Sequence, residues 1–298
     1  MIINKYNLQA LYTAFKAAFT LGLGAAESQY QKIATIVPSA AGIEEYGWLG
    51  KFPKMREWLG DRVINGMATH GYSIKNKPFE LTVGVPRTSI EDDQYGIYTP
   101  MMQEMGQSAQ EQPDELVFGM LKAGNTTVCY DGQNFFDTDH PVIDENGNTV
   151  TQSNYDDNGG AGATWYLLDT SRALKPIIFQ DRKKPNFVAL NQEDDQNVFM
   201  RGEYVYGVDA RNNVGFGFWQ QAYASRKPLT AENLQAAYTA MAERKGDNGR
   251  TLNIKPRVLV VPTGLKFKAA EILTAAQISG TDNVMKGLVE VLDDARLS

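Results

Sequence analysis

The densest set of chemically capable side chains runs from Tyr130 to Pro141, Tyr-Asp-Gly-Gln-Asn-Phe-Phe-Asp-Thr-Asp-His-Pro, and places Asp137, Asp139 and His140 close together. Two carboxylates and an imidazole can hold a divalent metal, or pass a proton as an acid/base pair in a hydrolase. In an extended chain side chains alternate, so Asp137 and Asp139 share a side that His140 leaves, and Pro141 biases the stretch toward a turn. The spacing points first to a loop held by Asx turns around a hydrogen-bonded histidine, with the metal or hydrolytic site as the sharper alternative.

Other chemistries find less support. A serine hydrolase of the nucleophile-elbow kind needs Gly-x-Ser-x-Gly, which does not occur. Cys129 is the only cysteine and His70 and His140 are the only histidines, so there is no intrachain disulfide and no Cys/His zinc spacing. A nucleophilic Cys129 paired with either histidine is not suggested by any spacing. Gly22-Leu-Gly-Ala-Ala lacks the Gly-Lys-Ser/Thr of a phosphate loop and is expected to stop a helix. The acidic triplets Glu91-Asp92-Asp93 and Glu193-Asp194-Asp195 lack the ligand spacing of a calcium loop and are expected to be solvated turns or helix starts. No catalytic residue, cofactor or metal is expected.

Charge narrows the partners. With 29 Lys plus Arg against 35 Asp plus Glu, the net charge is −6, which opposes a phosphate-tracking surface and sequence-specific nucleic-acid binding. A weakly repelling wall beside packed DNA stays compatible with that balance. No run approaches the roughly 20 apolar residues of a membrane helix, and the N-terminus lacks the uninterrupted apolar core of an export signal, so a soluble protein is expected.

The elements that would position these residues follow from periodicity. The 298 residues, 43% hydrophobic and 21% charged, suit one or two folded domains. Leu8, Leu11, Tyr12, Phe15 and Phe19 predict an amphipathic helix ending near Gly22 and Gly24, packed on its own core or laid on a neighbour. Phe79, Leu81, Val83 and Val85 alternate as a strand, and with Tyr72 and Ile74 across Lys75-Asn-Lys-Pro78 they predict a hairpin reaching roughly 33 Å. Thr99-Pro100 opens a helix whose inner side carries Met101, Met102, Met105 and Ala109, and Pro113 makes it one long kinked helix or two in line. Residues 144–162 read as a flexible loop, and the strand-like stretches 165–180, 199–208 and 214–224 as one sheet. Thr230 caps a helix through Met241, Arg257 to Val261 is a buried strand, and a last helix carries Ala269, Ile272 and Leu273.

Several motifs resemble one family, the phage Mu-like major head subunits: Glu45-Tyr-Gly-Trp-Leu-Gly with Phe52-Pro, Arg56-Glu-Trp-Leu-Gly-Asp-Arg, Ile90-Glu-Asp-Asp-Gln-Tyr-Gly, Pro113-Asp-Glu-Leu-Val-Phe-Gly, Tyr130-Asp-Gly-Gln through Phe136-Asp-Thr-Asp-His-Pro, and Val208-Asp-Ala-Arg with Gly215-Phe-Gly-Phe-Trp. The resemblance implies an α+β fold of the Hong Kong 97 capsid type. Its parts would be an N-terminal arm over 1–45, an extended hairpin loop over 46–88, a peripheral domain with spine helix over 89–225 and an axial α/β domain over 226–298. Residues after Val289 match no part of that plan clearly. It further implies a major capsid protein that self-assembles as pentamers and hexamers into an icosahedral head around double-stranded DNA contacted non-specifically. Scaffold, portal and decoration proteins would be partners, no membrane would be involved, and the virion would be assembled in the bacterial cytoplasm. The residues expected between subunits are Leu11, Phe15, Arg56, Trp58, Arg62, Lys75, Lys77 and Phe79, because aromatic and arginine side chains dominate contact energies. An encapsulin-like nanocompartment shell and a tail-tube or adaptor protein are the structural alternatives, and a hydrolase using Asp137, Asp139 and His140 the enzymatic one.

Overall fold

The structure, a computed structural model, describes residues 3–47, 49, 71–92, 94–278 and 280–298. Helix α1 (Lys5–Ala25) begins where the Asn4 side chain accepts a hydrogen bond from the Asn7 N–H at 2.9 Å. Of its predicted stripe Leu8, Leu11, Phe15 and Phe19 are buried and Tyr12 is half-buried, and Ala18 and Gly22 also lie inward. It packs on α4 (Thr99–Lys122), a single helix about 36 Å long that Pro113 does not end. The helices meet through glycine: a Cβ on Gly22 would stand 1.9 Å from the Gln103 carbonyl oxygen, and one on Gly106 2.1 Å from that of Phe19. Helix α1 ends at Ala25, close to the expected stop at Gly24, while Gly22 itself is a crossing point at which close backbone contact offsets its poor helix propensity. Met102 and Met105 are inward as expected, whereas Met101 is exposed. Asp114 does not start a fresh helix; buried, it accepts from the N–H groups of Gln29 and Tyr30 at 2.9 and 2.6 Å, fixing the start of α2 (Tyr30–Ile33).

The helices cover one face of a four-stranded sheet of order β1-β9-β10-β4, formed by β1 (Ala34–Pro38), β4 (Lys77–Pro86), β9 (Ile177–Leu190) and β10 (Glu203–Phe216). Along β10, Tyr204, Tyr206, Val208, Ala210 and Asn212 are buried at the strand period, and Asn212 exchanges amide hydrogen bonds with Gln112 of α4 at 3.0 and 2.9 Å. Phe15 meets the Tyr206 ring edge to face at 5.0 Å. The predicted hairpin does not form. Strand β3 (Ser73–Lys75) pairs instead with β2 (Ile43–Glu45), and β4 pairs with β10. Between them Asn76 is buried: its Nδ2 donates to Ser39 Oγ and Ala41 O, and its Oδ1 accepts from Gln180 Nε2 at 2.8 Å. Those bonds make a kink that transfers the chain between ladders where a solvated basic turn was expected.

The second sheet, of order β17-β14-β8-β11-β7, has its core strands β8 (Trp165–Leu168), β11 (Ala222–Ser225) and β14 (Val258–Pro262) flanked by β7 (Tyr155–Asp156) and β17 (Glu290–Asp294). Every residue of β8 and β14 is buried because both faces are covered. Trp165, Leu167, Leu259 and Val261 pack with α6 (Ala231–Ala242) and α7 (Lys266–Thr274), while Tyr166, Leu168, Val258 and Val260 join Phe118, Leu121, Phe135 and Phe136 in the main core. Thr230 caps α6 as predicted, accepting from the Asn233 N–H at 3.2 Å.

The three strand-like stretches expected in one sheet are thus divided between two, and Phe199 lies in α5 (Gln196–Arg201), after α3 (Arg87–Glu91) in the helix order. Residues 144–162 are more ordered than expected, since β5 (His140–Ile143) and β6 (Thr149–Gln152) form a hairpin whose turn Asp144 ties to Asn146 and Asn148. Small ribbons pair β12 (Lys245–Gly246) with β13 (Arg250–Thr251) and β15 (Gln277–Ile278) with β16 (Thr281–Asp282). The charged C-terminal stretch is a parallel edge strand beside β14, with Leu292 in the main core and Val291 against the α6 and α7 cluster, and Lys122 Nζ donates to the Ser298 carbonyl.

Candidate assembly surface

Leu11 and Phe15 are buried inside their own chain, so they do not face a neighbour; the stripe is spent on α4 and the sheet. Lys75 and Lys77 are exposed on either side of buried Asn76, and Phe79 is half-buried on β4 opposite Ala210. Arg56, Trp58 and Arg62 lie outside the described residues. Strand β2 pairs with β3, and the Tyr46 N–H donates to the Tyr72 carbonyl at 2.8 Å, with Tyr46 and Leu49 buried in the main core.

An apolar surface that sequence reasoning missed lies at the far end of the first sheet. Phe199 is 83% exposed, Met200 70% and Leu190 54%. Asn197 Nδ2 donates to the Leu190 and Glu203 carbonyls at 3.1 and 2.7 Å, and so pins α5 across the strand ends. The sheet face turned from the helices continues this surface: Val205 sits beside Leu190 and Gly84, and Gly207 beside Val188 and Thr82. Glu91 and Glu193, one from each acidic triplet, converge on the same end, where Arg87 pairs with them at 2.9 and 3.8 Å. Contiguous exposed apolar surface rimmed by charge marks a protein contact. The signal available in the sequence was the adjacent pair Phe199-Met200 soon after Glu193-Asp194-Asp195, which strand propensity concealed.

The Tyr130 to Pro141 segment is a buried polar junction. His140 Nδ1 lies 2.7 Å from Asp131 Oδ2, Nε2 lies 3.2 Å from Asn154 Oδ1, and the ring stacks on Trp219 at 3.9 Å. Arg244 reaches the same indole and donates to the Gln220 and Ala222 carbonyls at 2.7 and 3.1 Å, its guanidinium lowered to about 10 by burial. Asp137 turns away, accepting from the Asn134 and Thr138 N–H groups at 3.2 and 2.7 Å, and exposed Asp139 is raised by a hydrogen bond with Asp137. Burial pushes the Cys129 thiol far up, and Sγ donates to Asp131 Oδ1 at 3.1 Å. The hydrolytic constellation of Asp137, Asp139 and His140 is therefore not assembled: the carboxylates face outward and the imidazole is enclosed.

Two sheets and a long helix across the first define the α+β, Hong Kong 97-type fold of phage major capsid proteins. The chain belongs to the family described as Mu-like prophage major head subunit gpT, whose sequence profile it matches over residues 8–297, and these are structural capsid proteins rather than enzymes. It is 47% identical over 301 residues to the major capsid protein of Escherichia phage Mu, with 98% of each chain covered. It matches the procapsid of bacteriophage JBD30 with a TM-score of 0.87 at 52% identity, covering 99% of this chain and 100% of that one. It also matches the JBD30 capsid decorated with minor capsid protein trimers, with a TM-score of 0.76 at 39% identity and 93% of each chain covered.

Proposed function

We propose that this chain builds an icosahedral phage head by self-assembly into pentamers and hexamers, enclosing double-stranded DNA that it contacts without sequence preference. The observation that carries the reading is the uncovered apolar end of the first sheet, which a lone subunit leaves in water. Burying Phe199, Met200, Leu190 and Val188 against another subunit supplies a hydrophobic driving force of roughly 25 cal/mol per Å². Heterologous contacts of this kind close into rings, and many weak contacts per subunit give a stable shell from correctable steps.

In this scheme α4 is the spine, the extended loop that reaches the next subunit falls within residues 46–88, and the second sheet with α6 and α7 stands toward the capsomer axis. Helix α1 belongs to the body, since its stripe is already covered. Scaffold and portal proteins act during assembly in the bacterial cytoplasm, and a trimeric minor capsid protein is a candidate decoration partner, as the JBD30 relative carries one. The test is electron microscopy of purified protein over a range of concentration and salt, alone and with the scaffold from the same phage. Closed shells or rings of five and six support the reading; monomers under every condition, with scaffold included, overturn it.

A further inference from the structure

The chain's only cysteine and one of its two histidines meet at a single carboxylate. Cys129 Sγ, an oxygen of Asp131 and a ring nitrogen of His140 all lie within 4.8 Å of one another. The hydrogen-bond inventory fixes which histidine nitrogen faces the cluster. Asn154 Nδ2 donates to the Phe135 carbonyl at 2.7 Å, and its Oδ1 accepts from the Asp137 N–H at 2.8 Å, so an acceptor oxygen confronts His140 Nε2. Nε2 must therefore carry a hydrogen, which leaves the neutral ring's lone pair on Nδ1, aimed at Asp131 Oδ2 only 2.7 Å away. Two acceptors at that distance need a cation between them, and the choices are a second proton or a metal ion.

We propose that Cys129, Asp131 and His140 bind one divalent ion of the zinc class per subunit. Thiolate, carboxylate and imidazole are the ligand types that borderline-soft zinc takes, and an imidazole that ligates zinc typically donates its other N–H to a fixed acceptor, the part Asn154 plays here. Asn154 is itself held by backbone groups, and Trp219 stacks on the ring, so the imidazole is oriented before any ion arrives. Zinc bonds of about 2.0 Å to nitrogen and 2.3 Å to sulfur close the cluster to about 3.5 Å between ligand atoms, a shift of about 1 Å for the Cys129 side chain. The Cys129 thiol proton leaves to solvent as the sulfur–metal bond forms, and so does any proton shared by His140 and Asp131. A water molecule completes the tetrahedron. The ion clamps the turn at Cys129 to the start of β5, beside the junction with Trp219 and Arg244.

The test uses the full chain, purified and dialysed against trace zinc and then against metal-free buffer. About one zinc per subunit is expected by elemental analysis, falling at least tenfold in Cys129→Ser. Cobalt(II) added in place of zinc is expected to give a near-ultraviolet thiolate-to-metal band with the visible bands of a tetrahedral site. The cobalt spectrum reads the cysteine directly in the unaltered protein, so the test stands even if Cys129→Ser fails to fold. Absence of retained zinc together with absence of the thiolate band overturns the proposal and assigns the cation to a proton. Equal zinc in the unaltered chain and Cys129→Ser overturns it as well.

Discussion

Replacing Phe15 with alanine separates two roles that its sequence position left open, core residue and contact with a neighbour. In the structure the ring is fully buried and meets Tyr206 edge to face at 5.0 Å, within a cluster that includes Leu11, Phe19, Met105 and Phe187. Removing a buried phenyl costs about 3–5 kcal/mol, because apolar transfer is lost and the cavity collapses only partly. The aromatic pair accounts for roughly 0.5–1.5 kcal/mol of that sum. The site relaxes poorly, since Gly22 and Gly106 already hold α1 and α4 at backbone contact, so the upper half of the range is expected. Urea denaturation of unassembled subunits should show a midpoint shift of that size with an unchanged slope. Unchanged subunit stability combined with loss of shells would refute the core assignment and return Phe15 to the interface.

Gly106→Ala should cost more than about 2 kcal/mol, because its methyl meets the Phe19 carbonyl oxygen at 2.1 Å and rigid helices must part, a loss readable in the same urea titration. Phe199→Ser combined with Met200→Ser should leave subunit stability within about 0.5 kcal/mol, since both side chains are exposed, yet reduce shell yield in sedimentation; normal yield would remove the apolar end from the assembly account. In the metal-free subunit, where a proton takes the cation's place between His140 and Asp131, burial works against ionised Asp131, but hydrogen bonds from His140 and Cys129 outweigh it and hold the carboxyl below its ordinary range. Its contribution is therefore fully present above the unfolded value of about 3.9 and lost as pH falls through the lower folded one, so Asp131→Asn should flatten the acid limb of the melting temperature between about pH 5 and 2.

Local physics was legible where a single element decides the pattern. The α1 stripe and the Thr230 cap follow from periodicity and capping alone, because those residues answer to one neighbouring layer, and the strand at Val258 follows from an unbroken apolar run that both of its covered faces require. Pairing was not legible. Lys75-Asn-Lys-Pro78 has the composition of a turn, and only the distant partners Ser39, Ala41 and Gln180 make Asn76 a buried kink. Likewise Gly22 has the identity of a stop, and only Gln103 across the helix pair makes it a contact. The His140 cluster was half legible: the segment was singled out, but alternation pointed to Asp137 and Asp139, while the actual partners, Asp131 and Asn154, enter through tertiary folding.

The uncovered sheet face follows from the same distribution of cores. Helices α1 and α4 can cover one face of β9 and β10, and the second sheet takes up α6 and α7, which leaves no described helix for the other face. A protein that functioned alone would be expected to polarise that face. Here Val188, Leu190 and Val205 keep part of it apolar, while the Glu203 and Thr82 side chains lie against Gly84 and Gly207. Charge lines the rim at Arg87, Glu91 and Glu193, Glu203 reaches over Gly84 and Glu80 bonds Thr82 on the face itself, and Lys183 pairs with Asp209 toward the opposite end. An apolar centre within a charged rim gives association its strength at the centre and its register at the edge. The subunit is thus left incomplete on one face, and assembly completes it.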